Sequence, residues 1–98
     1  MARFELSEKA DQDLTGIYLY SYQHFGADKA AQYLDDLDTC FNDLAASPRL
    51  GHSISAIRPG YFRFEHASHT IFYTLKGHGI FIVRVLHKRM DCERHLPE

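Results

Sequence analysis

Ninety-eight residues, 45% hydrophobic and 13% aromatic, are expected to make one domain over 1–98 with enough apolar material for a core. No apolar run approaches the roughly 18 residues of a membrane span, and Cys40 and Cys92 have neither metal nor redox spacing, so the expectation is a cytoplasmic protein with reduced thiols. The net charge of −2 hides a division: residues 1–48 carry Arg3, Lys9 and Lys29 against nine acids, whereas residues 49–98 carry eight basic residues against Glu65, Asp91, Glu93 and Glu98, which implies two faces with different partners.

Residues 3–6 alternate and read as a short first strand. Ser7 then caps a helix of residues 8–25, with Glu8 in its first turn. Leu14, Ile17, Tyr18, Tyr22 and Phe25 recur at three- and four-residue spacing and read as its buried face. Gly26 ends it. A second helix starts at Asp28. Ala30, Leu34, Leu37, Phe41 and Leu44 form its stripe, Asp35, Asp36, Asp38 and Asp43 face water, and Pro48 stops it. So short a link folds the two helices into an antiparallel hairpin. Residues 49–60 read as a loop, with Arg-Pro-Gly at 58–60 as a turn. Three strands follow at 61–67, 70–76 and 80–87, separated by Ser68-His69 and by Gly77-His78-Gly79, which predicts an antiparallel meander. The last strand is apolar on both faces, as a central strand would be, and the first strand returns to pair at an edge. The predicted fold is α+β: N-terminal strand, antiparallel helix hairpin, three-stranded antiparallel meander, and a short C-terminal helix from about Asp91.

Positive charge gathers at the end, in "RVLHKRMDCERHL" at 84–96. Arg63, Arg84, His87, Lys88 and Arg89 are the parts of a weak nuclease: arginine grips phosphate bidentately, and histidine titrates near neutrality. Each has a plainer role. An arginine inside a central strand commonly pairs with a carboxylate or carbonyl, and Arg84 would tie down the tail through Asp91. His87 equally suits a hydrogen-bonded strand end, and Lys88, Arg89 and Arg94 a solvated helix start. His66 and His69 flank a turn without completing a tetrahedral set, so no metal or cofactor is expected. Tyr18, Tyr20 and Tyr22 cannot share a helix face and do not form a base-stacking platform.

Four stretches in order, "ADQDLTGIYLYSYQHFG" at 10–26, "AAQYLDDLDTCFNDLAASPRLG" at 30–51, "RPGYFRFEHASHTIFY" at 58–73 and the basic ending at 84–96, resemble the ParE branch of the RelE/ParE toxin superfamily over essentially the whole chain. The resemblance implies a RelE/ParE-like fold and a type II toxin in a hetero-oligomer with a ParD-like antitoxin. It implies DNA gyrase as target, with no catalytic turnover. The target-facing candidates are then Arg63, Arg84, His87, Lys88, Arg89 and Arg94. The antitoxin-facing candidates are Leu14, Tyr18, Tyr22, Leu37 and Phe41, on the hairpin and the adjoining sheet edge, and most of these also suit the core. One alternative is a RelE-like, ribosome-dependent mRNA endoribonuclease. Against it, the second helix is acidic, residues 47–60 hold no lysine and residues 84–98 no tyrosine. Another is a degenerate copy that only binds antitoxin.

Overall fold

Gly26 alone separates two long helices, and its φ of +88° is a backbone state open to glycine at little cost. The computed structural model describes residues 3–90 and 92–96. The chain runs β1 (Phe4–Leu6), α1 (Glu8–Phe25), α2 (Ala27–Ala46), a 3-10 turn (Pro48–Leu50), β2 (His52–Ser53), β3 (Tyr61–His66), β4 (His69–Lys76), β5 (Gly79–His87) and α3 (Cys92–His95). Ser7 caps α1 as expected, its hydroxyl accepting from the Ala10 amide at 2.9 Å. The same hydroxyl donates to the Val83 carbonyl at 2.6 Å, which fixes the start of α1 onto β5.

The sheet order is β1-β5-β4-β3-β2. β1 pairs parallel with β5, Phe4 opposite Ile80, and the remaining pairs are antiparallel. The last strand is therefore central and the first lies at an edge, as its apolar pattern predicts. Phe72 sits opposite Arg84 and Tyr73 opposite Ile82, so Val83 is the extra residue of a bulge, and Ser7 takes up its carbonyl.

The hairpin covers one face of the sheet. Leu37, Phe41 and Leu44 of α2 meet Ile71, Tyr73, Ile80, Ile82 and Val85 of the strands. The second helix buries the predicted stripe, but α1 does not. Its buried line is Ala10, Ile17 and Ser21, with Leu14 half-buried, and Tyr18, Tyr22 and Phe25 are exposed. The buried line has the same helical period as the expected one and is rotated from it. Small side chains turn inward because α2 and the sheet approach α1 closely, and the larger aromatic rings stay outside.

Three boundaries differ from expectation. β2 lies within the expected loop, and its two residues pair with Arg63 and Phe62. His69 already belongs to β4, so the turn is Ala67-Ser68, with Ala67 at φ +51°. Gly79 already belongs to β5. The expected helix start at Asp91 lies outside the described residues. On the other face of the sheet, Leu96 packs with Ile54, Phe72 and Leu86 and so returns the tail to the body.

A candidate binding groove beside the last strand

Arg84 arises where the bulge turns β5 toward α1. Its Nε and Nη2 donate to the two oxygens of Asp13, each at 2.8 Å, and its Nη1 donates to the His95 carbonyl at 2.9 Å. Asp13 also accepts the Val85 amide at 3.0 Å. The carboxylate holds the guanidinium pKa above its usual value. Arg84 thus ties down the tail through the His95 carbonyl while Asp13 holds it to α1, and the expected partner Asp91 lies outside the described residues. Its hydrogen-bonding edge is taken, so it offers little to a phosphate.

Beside this pair a groove of about 840 Å³ opens between the hairpin and the ends of β4 and β5. Ile17, Tyr20 and Phe25 of α1, Tyr33 of α2, and Val85 and Leu86 of β5 supply its apolar lining; Lys29, His69, His87 and Met90 complete the rim. Its volume and apolar lining suit a bound side-chain cluster. Gly16 leaves it open, since a Cβ built there meets nothing within 4 Å.

At one end of the groove three histidines stand in register across three strands. His66 is opposite His69, and His69 is opposite His87, so all three share the face that the helices cover. The rings of His69 and His87 lie 5.7 Å apart, edge to face. Tyr33 reaches down from α2, its Oη 2.7 Å from Nδ1 of His69. Burial, then His87 and His66, push the His69 pKa down, and burial pushes the Tyr33 phenol up. We assign the phenolic hydrogen to the bare ring nitrogen of a neutral imidazole.

The other candidates disperse. Arg63 lies on β3 near the far edge of the sheet and pairs with Glu65 at 2.6 Å in solvent. Lys88, Arg89 and Arg94 are exposed, and the His87 ring accepts the Arg89 amide at 3.2 Å. Leu37 and Phe41 are 0% and 2% exposed and hold the hairpin to the sheet, so they present nothing to a partner. Leu14 is half-buried, and Tyr18 and Tyr22 are accessible. Sequence reasoning missed Asp13, Tyr20, Tyr33 and the joining of His69 to His87. The one early signal was the unassigned pair of turn histidines. Among the described residues no group of three His, Cys, Asp or Glu is arranged to hold a metal ion, and no helix is long and apolar enough to cross a membrane.

A sheet with this order, a helix hairpin on one face and a tail fixed by an arginine of the last strand can be compared with known proteins. The family model described as "ParE toxin of type II toxin-antitoxin system, parDE" matches residues 4–92. This chain belongs to the ParE toxin family. It is 44% identical to Toxin ParE1 of Mycobacterium tuberculosis, over 97% of this chain and 98% of that one. It is 36% identical to Toxin ParE1 of Caulobacter vibrioides, over 98% and 99%. A solved structure titled "Chromosomal ParDE TA system from P. aeruginosa" superposes with a TM-score of 0.74 at 24% identity, covering 89% of this chain and 96% of that one. That likeness concerns the ParE fold, which the resemblance at the four sequence stretches implies.

Proposed function

We propose that this chain is a toxin neutralised by a ParD-like antitoxin, that an antitoxin segment fills the groove beside β5, and that the unneutralised toxin binds and stalls DNA gyrase without catalytic turnover. The carrying observation is the groove itself, an apolar channel bordered by Lys29 and His87 whose one carboxylate among the described residues, Asp13, is already paired with Arg84. It favours an apolar segment carrying acidic residues, which would gain order on docking. Tyr18 and Tyr22 lie on the exposed part of α1, where a longer antitoxin segment would continue.

The cationic segment adjoins this channel. His87 and Met90, on either side of Lys88 and Arg89, both line it. The acidic and basic halves of the chain thus meet at one border, and an occupant of the groove covers the approach to those cations. Neutralisation by occlusion follows.

The test has two arms. Gly16→Trp fills the groove from α1 and should abolish antitoxin binding measured by calorimetry. Lys88→Glu with Arg89→Glu should leave the fold intact, since exposed charges contribute within about 0.5 kcal/mol each, and should relieve inhibition in a gyrase supercoiling assay. Antitoxin binding unchanged by Gly16→Trp refutes the groove, and full inhibition by the charge-reversed protein refutes the tail. The second reading, RNA cleavage, is supported by His69 and His87, whose ring centroids lie 5.7 Å apart, a separation at which one could serve as acid and the other as base. Cleaved mRNA with untouched supercoiling, in parallel ribosome and gyrase assays, would select it.

A further inference from the structure

Two members of the histidine row, His69 and His87, line one end of the groove. We propose that His69 and His87, with His66 opposite His69, make occupancy of the groove proton-linked, so that it receives an apolar segment when the pair is neutral and releases it when the pair is charged. This rests on the reading of the groove as the antitoxin's seat and adds a control to it.

Most of the surroundings resist charge. From β3 and β5 come His66 and His87, each a like charge once protonated and each directly opposite His69. From α2 comes Tyr33, which donates to Nδ1 of a neutral His69; a proton placed there reverses that hydrogen bond, and the phenolic hydrogen must find another acceptor. Lys29, also on α2, lines the same channel. From the tail come Lys88 and Arg89, next in sequence to His87. Among the described residues the acids near the row are Asp13, engaged by Arg84, and Asp36 and Asp43 of α2, which line a separate recess with His66, Asp36 also acting on Tyr33. Asp13 favours protonation of His69, but it follows burial and both histidines in weight.

His69 and His87 line the channel, so an apolar occupant removes water from both rings. Removing water penalises the charged form. Occupancy and protonation therefore oppose each other, and by linkage each weakens the other equally. One histidine of ordinary pKa, ~6.5, that must stay neutral weakens binding about tenfold between pH 7.5 and 5.5. Because His69 already sits below that value, its own contribution is smaller than tenfold.

The full-length chain carries the test. Gly16→Trp places an indole in the channel as a tethered occupant, and Nile red, which is uncharged, serves as a free one for the wild type. Imidazole C–H resonances followed by NMR give the titration midpoints of His69 and His87. We expect both midpoints to fall in Gly16→Trp and in dye-saturated wild type. We expect Nile red to bind at least threefold more weakly at pH 5.5 than at 7.5, and equally at both values in the His69→Gln, His87→Gln double variant. Midpoints that do not move with either occupant overturn the proposal, as does pH-independent dye binding by the wild type. These outcomes leave the antitoxin arm of Gly16→Trp untouched, so the groove reading stands or falls by calorimetry.

Discussion

Asp13→Ala removes the carboxylate that accepts both Arg84 nitrogens and the Val85 amide. Arg84 and Asp13 expose 13% and 15% of their side chains, so the abandoned guanidinium recovers only part of its hydration. Breaking a buried pair from one side costs about 3–5 kcal/mol; the residual exposure places the expected loss at the lower end, about 3 kcal/mol. A domain of this size is stable by about 5–15 kcal/mol, so the loss is a large fraction of the whole. At roughly 4–8 °C per kcal/mol, melting should fall by about 12–24 °C. The chain has no tryptophan, so urea and thermal unfolding are followed by far-ultraviolet circular dichroism. Asp13→Leu combined with Arg84→Met removes both charges and keeps the volume, and should recover most of the loss. A loss below about 1 kcal/mol in Asp13→Ala would show that the pair behaves like a surface ion pair. Arg84 would then be free to serve a ligand, and the tail would need another anchor.

Leu37→Ala, at a fully buried position, should cost about 2–5 kcal/mol by urea unfolding; a loss near zero would place Leu37 at a partner surface. Tyr73→Phe deletes a hydroxyl that donates to the Pro48 carbonyl at 2.6 Å and accepts from the Gly51 amide at 3.0 Å. It should cost about 1–3 kcal/mol and speed amide exchange in the 3-10 turn, and unchanged exchange there contradicts it. Because burial and its two neighbours hold the folded His69 pKa below the unfolded value of ~6.5, the unfolded chain takes up this proton first as pH falls. His69 therefore adds no penalty well above pH 6.5 and lowers stability as pH drops through that value toward the folded pKa. Urea midpoints should fall from pH 7.5 to 5.5 in the wild type and fall less in His69→Gln; equal slopes contradict this.

The elements that depend on local pattern were legible in the sequence. Ser7, Gly26 and Pro48 mark the helix ends through capping and backbone freedom, and the apolar run of 80–86, interrupted by Arg84 alone, marks a strand covered on both sides. What escaped notice depends on distance along the chain. Asp13 and Arg84 stand 71 residues apart, and Tyr33 and His69 36 apart, so no spacing rule joins them. The inward face of α1 escaped for another reason. Two lines on that helix share one period, and which of them turns inward is set by the neighbours that α1 packs against. β2 is two residues long, too short for alternation to register. For the candidate site, the cluster of cations was visible as composition. Arg84 is drawn away from it by Asp13, and Leu37 and Phe41 are drawn into the core from the expected antitoxin surface.

The position of β5 in the sheet also sets when this chain completes its fold. The strand bonded to both β1 and β4 is the last one synthesised, and Phe4 waits for Ile80 before it has a partner. Until then β1 is unpaired, Asp13 faces no arginine, and the hairpin has only part of the sheet to cover. Contacts between distant parts of a chain form late and slowly. A ribosome carrying the nascent chain therefore displays the hairpin and the early strands before β5, the groove or the anchored tail can exist. Maturation of the surface waits for the synthesis of β5, which separates the appearance of the hairpin from the appearance of the groove and leaves partly folded chains to chaperones and proteases in the meantime.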